Sequence, residues 1–131
     1  MRTLVQFRSD AFPAYPGEEE LINPERWGKR LAEFLAAKLP EHGVKVGEIY
    51  GEDWGWGIPI ENEAFRMFIA CGNVTWEGNM FACSIWPSKR EVRKGLFRKV
   101  STVADVERVA EALDRIVRGH AEISEVDWEK S

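Results

Sequence analysis

Cysteine is almost missing from this chain: of 131 residues, only Cys71 and Cys83 carry a thiol. Two cysteines do not make the disulfide framework of a small secreted scaffold, so the fold has to rest on a hydrophobic core, with both thiols reduced. Histidine is equally scarce. His42 and His120 are the only two, and neither stands near the cysteines, so no metal site is expected. No apolar run approaches the ~20 residues that span a bilayer, and no membrane partner is expected. The opening Met1-Arg2-Thr3-Leu4-Val5-Gln6-Phe7 alternates like a strand and lacks a signal peptide's apolar h-region, which points to a cytoplasmic protein of bacterial type. Phosphate loops, Walker patterns, dinucleotide fingerprints and nucleophile elbows are all lacking, so no cofactor is expected. The short Gly55-Trp56-Gly57 is no phosphate cradle, because no helix N-terminus follows it to hold an anion. A net charge of −4 argues against general affinity for nucleic acid.

What the chain does have is aromatic bulk, with six tryptophans and seven phenylalanines, and enough length for one domain over residues 1–131. Residues 2–8 read as a strand and 9–23 as a loop holding Pro13, Pro16, Gly17 and the acidic run Glu18-Glu19-Glu20. A first helix is signalled by Asn23 as N-cap, Pro24 at the first helical position and Glu25 in the first turn. Trp27, Leu31, Phe34, Leu35 and Leu39 follow at helical spacing, until Pro40 and Gly43 end it. A second helix is predicted from Thr102, with Val103, Val106, Val109, Ala110, Leu113, Ile116 and Val117 as its apolar stripe and Gly119 as its stop.

Residues 44–87 read as four antiparallel strands whose register follows from parity. Val44, Val46, Tyr50, Trp54, Trp56, Ile58 and Ile60 are all even, which asks for a three-residue turn at Gly51-Glu52-Asp53 pairing Tyr50 with Trp54. Phe65, Met67, Ile69 and Cys71 are odd, so an even-length turn at Asn62-Glu63 would pair Ile60 with Phe65 and Ile58 with Met67. Phe81, Cys83 and Ile85 are odd again, and a turn around Trp76-Glu77-Gly78 sets Cys71 almost opposite Cys83. The fold class that results is α+β: a two-layer sandwich in β-α-β-β-β-β-α order. Two helices pack on one face of a four- to five-stranded antiparallel sheet that includes the first strand, with residues 120–128 as a further short strand or docked tail. The covered face would carry Trp54, Trp56, Ile58, Phe65, Met67, Ile69, Phe81 and Ile85.

The opposite face, with Ile49, Gly55, Gly57, Phe68, Ala70, Met80 and Trp86, is too apolar for a solvated surface and needs a cover. In the predicted register Phe68 lies against the bare backbone of Gly57.

Catalysis has no constellation to rest on. Glu52-Asp53, with Glu48, Glu61 and Glu63 nearby, places carboxylates in hairpin turns, where such residues are routinely solvated, whereas acid–base work needs them in a cleft. Cys71 and Cys83 fit buried thiols better than a redox pair. His42 and His120 each precede or follow a glycine at a predicted helix C-terminus, where the helix dipole favours a cation. Lys89, Arg90, Arg93, Lys94, Arg98 and Lys99 form a basic segment that could take an acidic protein segment; nucleic acid is disfavoured, since no RNA- or DNA-binding signature accompanies it.

The pair of segments Glu52-Asp53-Trp54-Gly55-Trp56 and Cys71-Gly72-Asn73 resembles segments of small uncharacterised bacterial α+β proteins and covers the central sheet. Small proteins of this shape are also common among immunity proteins that neutralise toxins, which is an analogy of fold. The function expected is a non-enzymatic protein-interaction module of inhibitor, immunity or adaptor type. It would bind a partner or a second copy through the second sheet face, with Ile49, Phe68, Met80 and Trp86 as anchors. The alternative is a small-molecule-binding protein or enzyme whose pocket, between helices and sheet, is walled by Tyr50, Trp54 and Trp56, with Glu52 or Asp53 at its rim.

Overall fold

The structure is a computed structural model that describes residues 2–62, 66–87 and 99–129 and, over 99–102, the backbone alone. The chain begins with strand β1 (Leu4–Ser9), whose alternating burial comes directly from its alternating sequence. A single helical turn α1 (Glu18–Leu21) and helix α2 (Lys29–Lys38) follow, the latter running into a 3₁₀ turn at Leu39–His42. Strands β2 (Tyr50–Glu52), β3 (Gly55–Ile60), β4 (Met67–Asn73) and β5 (Met80–Trp86) form a meander. Helix α3 (Lys99–Arg118) and strand β6 (Ile123–Trp128) complete the order. All pairings are antiparallel, and the sheet has six strands in the order β2-β3-β4-β5-β1-β6. The class is α+β with an antiparallel sheet as expected, but the sheet has six strands where four to five were predicted, because the first strand and the C-terminal segment both enter it.

Helix α2 packs on β3 and β4, and α3 on β5 and β6, so one face is covered. Leu31 and Leu35 of α2, and Val106, Val109, Leu113 and Val117 of α3, meet Ile58, Ile69, Ile85, Phe7 and Phe81 there, all buried. The stripe read from the sequence of α3 is the stripe that packs, and Gly119 ends the helix. Gly43 adopts the left-handed conformation that stops the 3₁₀ turn after Pro40.

Helix α3 begins at Lys99, three residues before the predicted Thr102, and two other predictions of local structure fail, each for a visible reason. The first helix does not start at Asn23. Arg26 N–H closes only a single turn on Asn23 O (3.1 Å), and residues 25–27 bond to the end of β4 instead of continuing a helix: the Trp27 N–H donates to Asn73 Oδ1 (3.0 Å), and Asn73 N–H donates to Trp27 O (2.9 Å). Glu25 sits at φ 65, outside any helix.

The second failure is the register of Tyr50. Val46 bridges Ile60, but Tyr50 pairs with Gly57, so one extra residue lies on the 46–50 side. This bulge reverses the parity. Tyr50 therefore faces away from the helices, and Ile49 turns in to pack against the core. The hairpin then closes with two residues, Asp53 and Trp54, between Glu52 and Gly55, and Trp54 leaves the covered face. Further along, Ile60 pairs with Met67 and Ile58 with Ile69, two residues from the predicted match but of the same parity, so the apolar set still faces the helices. Phe65 and Glu63 lie outside the described residues. Cys71 stands directly opposite Cys83, as the turn at 76–78 requires.

Candidate functional site

Two buried polar side chains hold the loop at 10–28 against the sheet. Glu18, only 1% exposed, accepts hydrogen bonds from Gly28 N–H (2.8 Å), Lys29 N–H (2.9 Å) and Trp56 Nε1 (2.8 Å) on one carboxylate oxygen, and from Tyr15 N–H (2.9 Å) on the other. The carboxylate is thus the cap of α2, reaching in from the turn before it and meeting the positive end of the helix. Its acceptor capacity goes to structural donors, so it is no general base. Asn73, 4% exposed, is the second clamp: its amide brackets Trp27 N–H and Glu25 O, while Arg26 Nη1 donates to its carbonyl (3.2 Å). In the sequence Glu18 reads as part of an acidic run in a loop, and Asn73 enters only as the end of the Cys71-Gly72-Asn73 segment, with no clamp role assigned to either.

The same region explains why the two segments singled out in the sequence abut. Gly55 (φ +143) lies so close to β4 that a Cβ there would stand 2.3 Å from Cys71 O, and one on Gly72 would stand 2.9 Å from Trp54 O. Backbone meets backbone, with glycine on both sides. Trp56 then points to the helices and Trp54 to the open face.

That open face holds an aromatic cluster. The Phe68 and Trp86 rings, on directly paired residues, are 6.1 Å apart and nearly parallel at 7°. Trp54 stacks on the other side of Phe68 (6.3 Å, 26°), and Tyr50 fills the corner between Trp54 and Phe68. Tyr50, rather than Phe68, covers the bare backbone of Gly57: a Cβ there would lie 2.3 Å from Tyr50 Cζ. Burial, helped by the nearby Glu52 carboxylate, pushes the Tyr50 phenol above its ordinary pKa, although Arg66 opposes the shift. Trp54 (40%) and Trp86 (36%) remain exposed within one contiguous cluster, unlike Trp76 (85%), which stands alone in the turn between β4 and β5.

Beside the cluster runs an open groove of about 370 Å³, with Trp54, Phe68 and Trp86 as wall and Ala70, Ala82 and Ser84 as floor; Arg26 stands at the end near Gly72 and Asn73. The other half of the face differs in kind. Arg8 bonds to Glu77 O (2.8 Å) and Asn79 Oδ1 (3.2 Å) and pairs with Glu125 (3.4 Å), so its charge is met within the chain.

The remaining sequence candidates fall as follows. Met80 is half-buried at the Arg8 end of this face, and Phe68 and Trp86 are in the cluster, whereas Ile49 belongs to the core side. The alternative pocket is not assembled: Trp56 is buried beneath the helices, while Tyr50 and Trp54 lie across the sheet from it. Glu52 and Asp53 are exposed in the hairpin, as is Glu61 in the next connection. Of the basic segment, Lys89, Arg90, Arg93, Lys94 and Arg98 lie outside the described residues, and Lys99 opens α3. The two thiols are 3.9 Å apart and fully buried; the bond from Cys83, and then burial, raise the Cys71 pKa well above the usual thiol value, so it is a poor nucleophile. His42 ends the 3₁₀ turn, and the His120 ring packs on Phe34 (5.1 Å) and Phe12 (5.7 Å) while its Nδ1 accepts from Glu122 N–H. Between them lies a second depression, whose cations Lys38 and Arg115 are already paired with Glu41 and Glu111.

Among the described residues, no group of three or more His, Cys, Asp or Glu is placed to hold a metal ion. No helix among them is long and apolar enough to cross a membrane. Comparison with protein families, with curated proteins and with solved structures returned no match to this chain.

Proposed function

We propose that this protein is a non-enzymatic interaction module, of the inhibitor, immunity or adaptor kind, that engages a protein partner through the aromatic half of its open sheet face. The observation that carries this reading is the cluster of Trp54, Phe68 and Trp86 at the surface, beside a groove that no element among the described residues covers. Tryptophan and tyrosine supply large contact area for little conformational entropy and dominate interface hot spots. The placement of the other reactive groups supports the same reading. Glu18 is consumed as a cap, the thiols are buried, and Glu52 and Asp53 sit in an exposed turn.

The test is affinity capture from the source cells with the wild-type protein and with Trp86→Ala, followed by identification of what co-purifies. A partner retained by the wild type and lost from the variant supports the reading; an unchanged set of captured proteins overturns it. Sedimentation at high concentration separates a foreign partner from self-association, since a monomer throughout excludes the latter.

A further inference from the structure

We propose that the groove receives an extended segment of the partner in which an aromatic side chain and a carboxylate side chain stand two residues apart, the ring against Trp86 and Phe68 and the carboxylate on Arg26. This rests on the reading of the open face as a partner surface and adds the chemistry of what it takes.

The argument is one of complementarity. Along the wall the groove offers only ring surface, and along its floor small side chains. Its polar groups are mostly spoken for. Ser84 Oγ accepts from Trp86 Nε1 (3.1 Å), and the Asn73 amide is bonded at both ends. Arg26 is the exception. Its guanidinium carries five N–H donors in a planar fork, makes one bond, to Asn73 O, and meets no carboxylate among the described residues. Arg2, Arg8, Arg115 and Arg118 each hold an acidic partner, whereas Arg30 and Arg108, like Arg26, donate to a backbone carbonyl; of these three it is Arg26 that lines the groove. A planar fork fixed at one end of an apolar slot suits a carboxylate received bidentately.

Geometry sets the spacing. From Ala70 to Asn73 the floor runs about 10 Å at the rise of a strand, and side chains two apart on an extended peptide share a face about 7 Å from each other. A ring lying over Ala70 therefore brings a carboxylate two residues on within reach of the guanidinium. The groove is open along its length, with Trp54 and Trp86 half-exposed at its lip. An open slot leaves much of a free small molecule in water, whereas small-molecule sites bury most of theirs; a peptide backbone lying across it closes the slot.

The test uses blocked hexapeptides as probes, acetyl-Gly-Phe-Gly-Asp-Gly-Gly-amide with its Asn and Ala counterparts at the acidic and aromatic positions, titrated while the indole N–H resonances are followed. The acidic aromatic peptide should shift the Trp86 and Trp54 signals and leave Trp56 in place. Loss of either the carboxylate or the ring should weaken binding about tenfold. Arg26→Gln should erase the preference for Asp over Asn without moving the Asn peptide's affinity, Arg26→Lys should retain part of it, and Trp86→Ala should abolish binding of both. An unshifted Trp56 resonance in each variant shows that the fold is intact.

Equal affinity for the Asp and Asn peptides, no shift at millimolar probe, or tighter binding of phenylpropionate or an oligothymidylate would each overturn the inference. If the peptides fail while partner capture still depends on Trp86, only this inference falls. If capture is independent of Trp86, the reading beneath it falls, whatever the peptides do.

Discussion

The two faces of the sheet are built from similar residues and do opposite things with them. On the covered face Trp56 is 8% exposed, and its one polar atom is bonded to a carboxylate that is itself fully engaged. On the open face Trp86 is 36% exposed, and its Nε1 is bonded only to the half-buried Ser84 two residues before it. The same contrast holds for the arginine and glutamate that serve each side. Glu18 has four donors, while Arg26 has one acceptor and spare capacity. Polar groups that are completely satisfied fix a structure; groups with capacity to spare leave a place for something else to bind.

The contrast can be broken most forcefully at the two tryptophans. Trp56→Ala should cost about 3–5 kcal/mol in chemical denaturation, because it removes a buried ring and orphans part of the Glu18 carboxylate. Trp86→Ala should cost less than about 1 kcal/mol, as surface truncations do. Similar losses at both sites would mean that the open face is core in solution.

Two glycines on one strand sharpen the point. Gly55→Ala drives a methyl into the Cys71 carbonyl at a positive φ, and neither backbone can move away, so a loss of about 2–4 kcal/mol is expected. Gly57→Ala meets only the Tyr50 ring, which can swing aside. It should cost about 1 kcal/mol or less and show as a change in the Tyr50 ring resonances.

Glu18→Gln leaves one accepting oxygen where there were two, and should lower stability by about 1–2 kcal/mol, with faster amide exchange at Gly28 and Lys29.

The smallest effect lies at the far edge. Asp114 accepts from Trp128 Nε1 (2.8 Å) and Arg118 (2.7 Å), tying β6 to α3. Burial pushes its pKa up, but those bonds outweigh it and hold the carboxylate below its ordinary value. A carboxylate with a lowered folded pKa contributes stability above its unfolded pKa and loses it as pH falls through the folded one. The docking of β6 should therefore weaken only below about pH 4, read from Trp128 fluorescence, and Asp114→Asn should remove that step.

Much of the architecture was legible because it depends on local periodicity. The stripe of α3 and the alternation of β1 each require only their own residues. The Cys71–Cys83 register needed only the symmetry of one turn. The candidate site was legible in part: Phe68 and Trp86 have the parity of the open face, but Trp54 and Tyr50 were assigned to the wrong side. A single bulge between Val46 and Tyr50 moved both, and nothing in the sequence of residues 46–50 marks where an extra residue will be absorbed.

The helix start at Lys29 shows the same limit. Asn23-Pro24 is a sound local start signal, overridden because Asn73, 46 residues from Trp27, offers that backbone its partners instead.

The sequence by itself determined an α+β fold and which strands turn their apolar residues toward the helices, because a period of two or 3.6 is a property of neighbouring residues. Only the tertiary structure decided that Glu18 caps α2, that Asn73 holds residues 25–27, and that Trp54 leaves the core to wall a groove ending at Arg26. Those outcomes depend on hydrogen-bond donors and acceptors meeting across long stretches of chain, where burial makes an unpaired polar group costly.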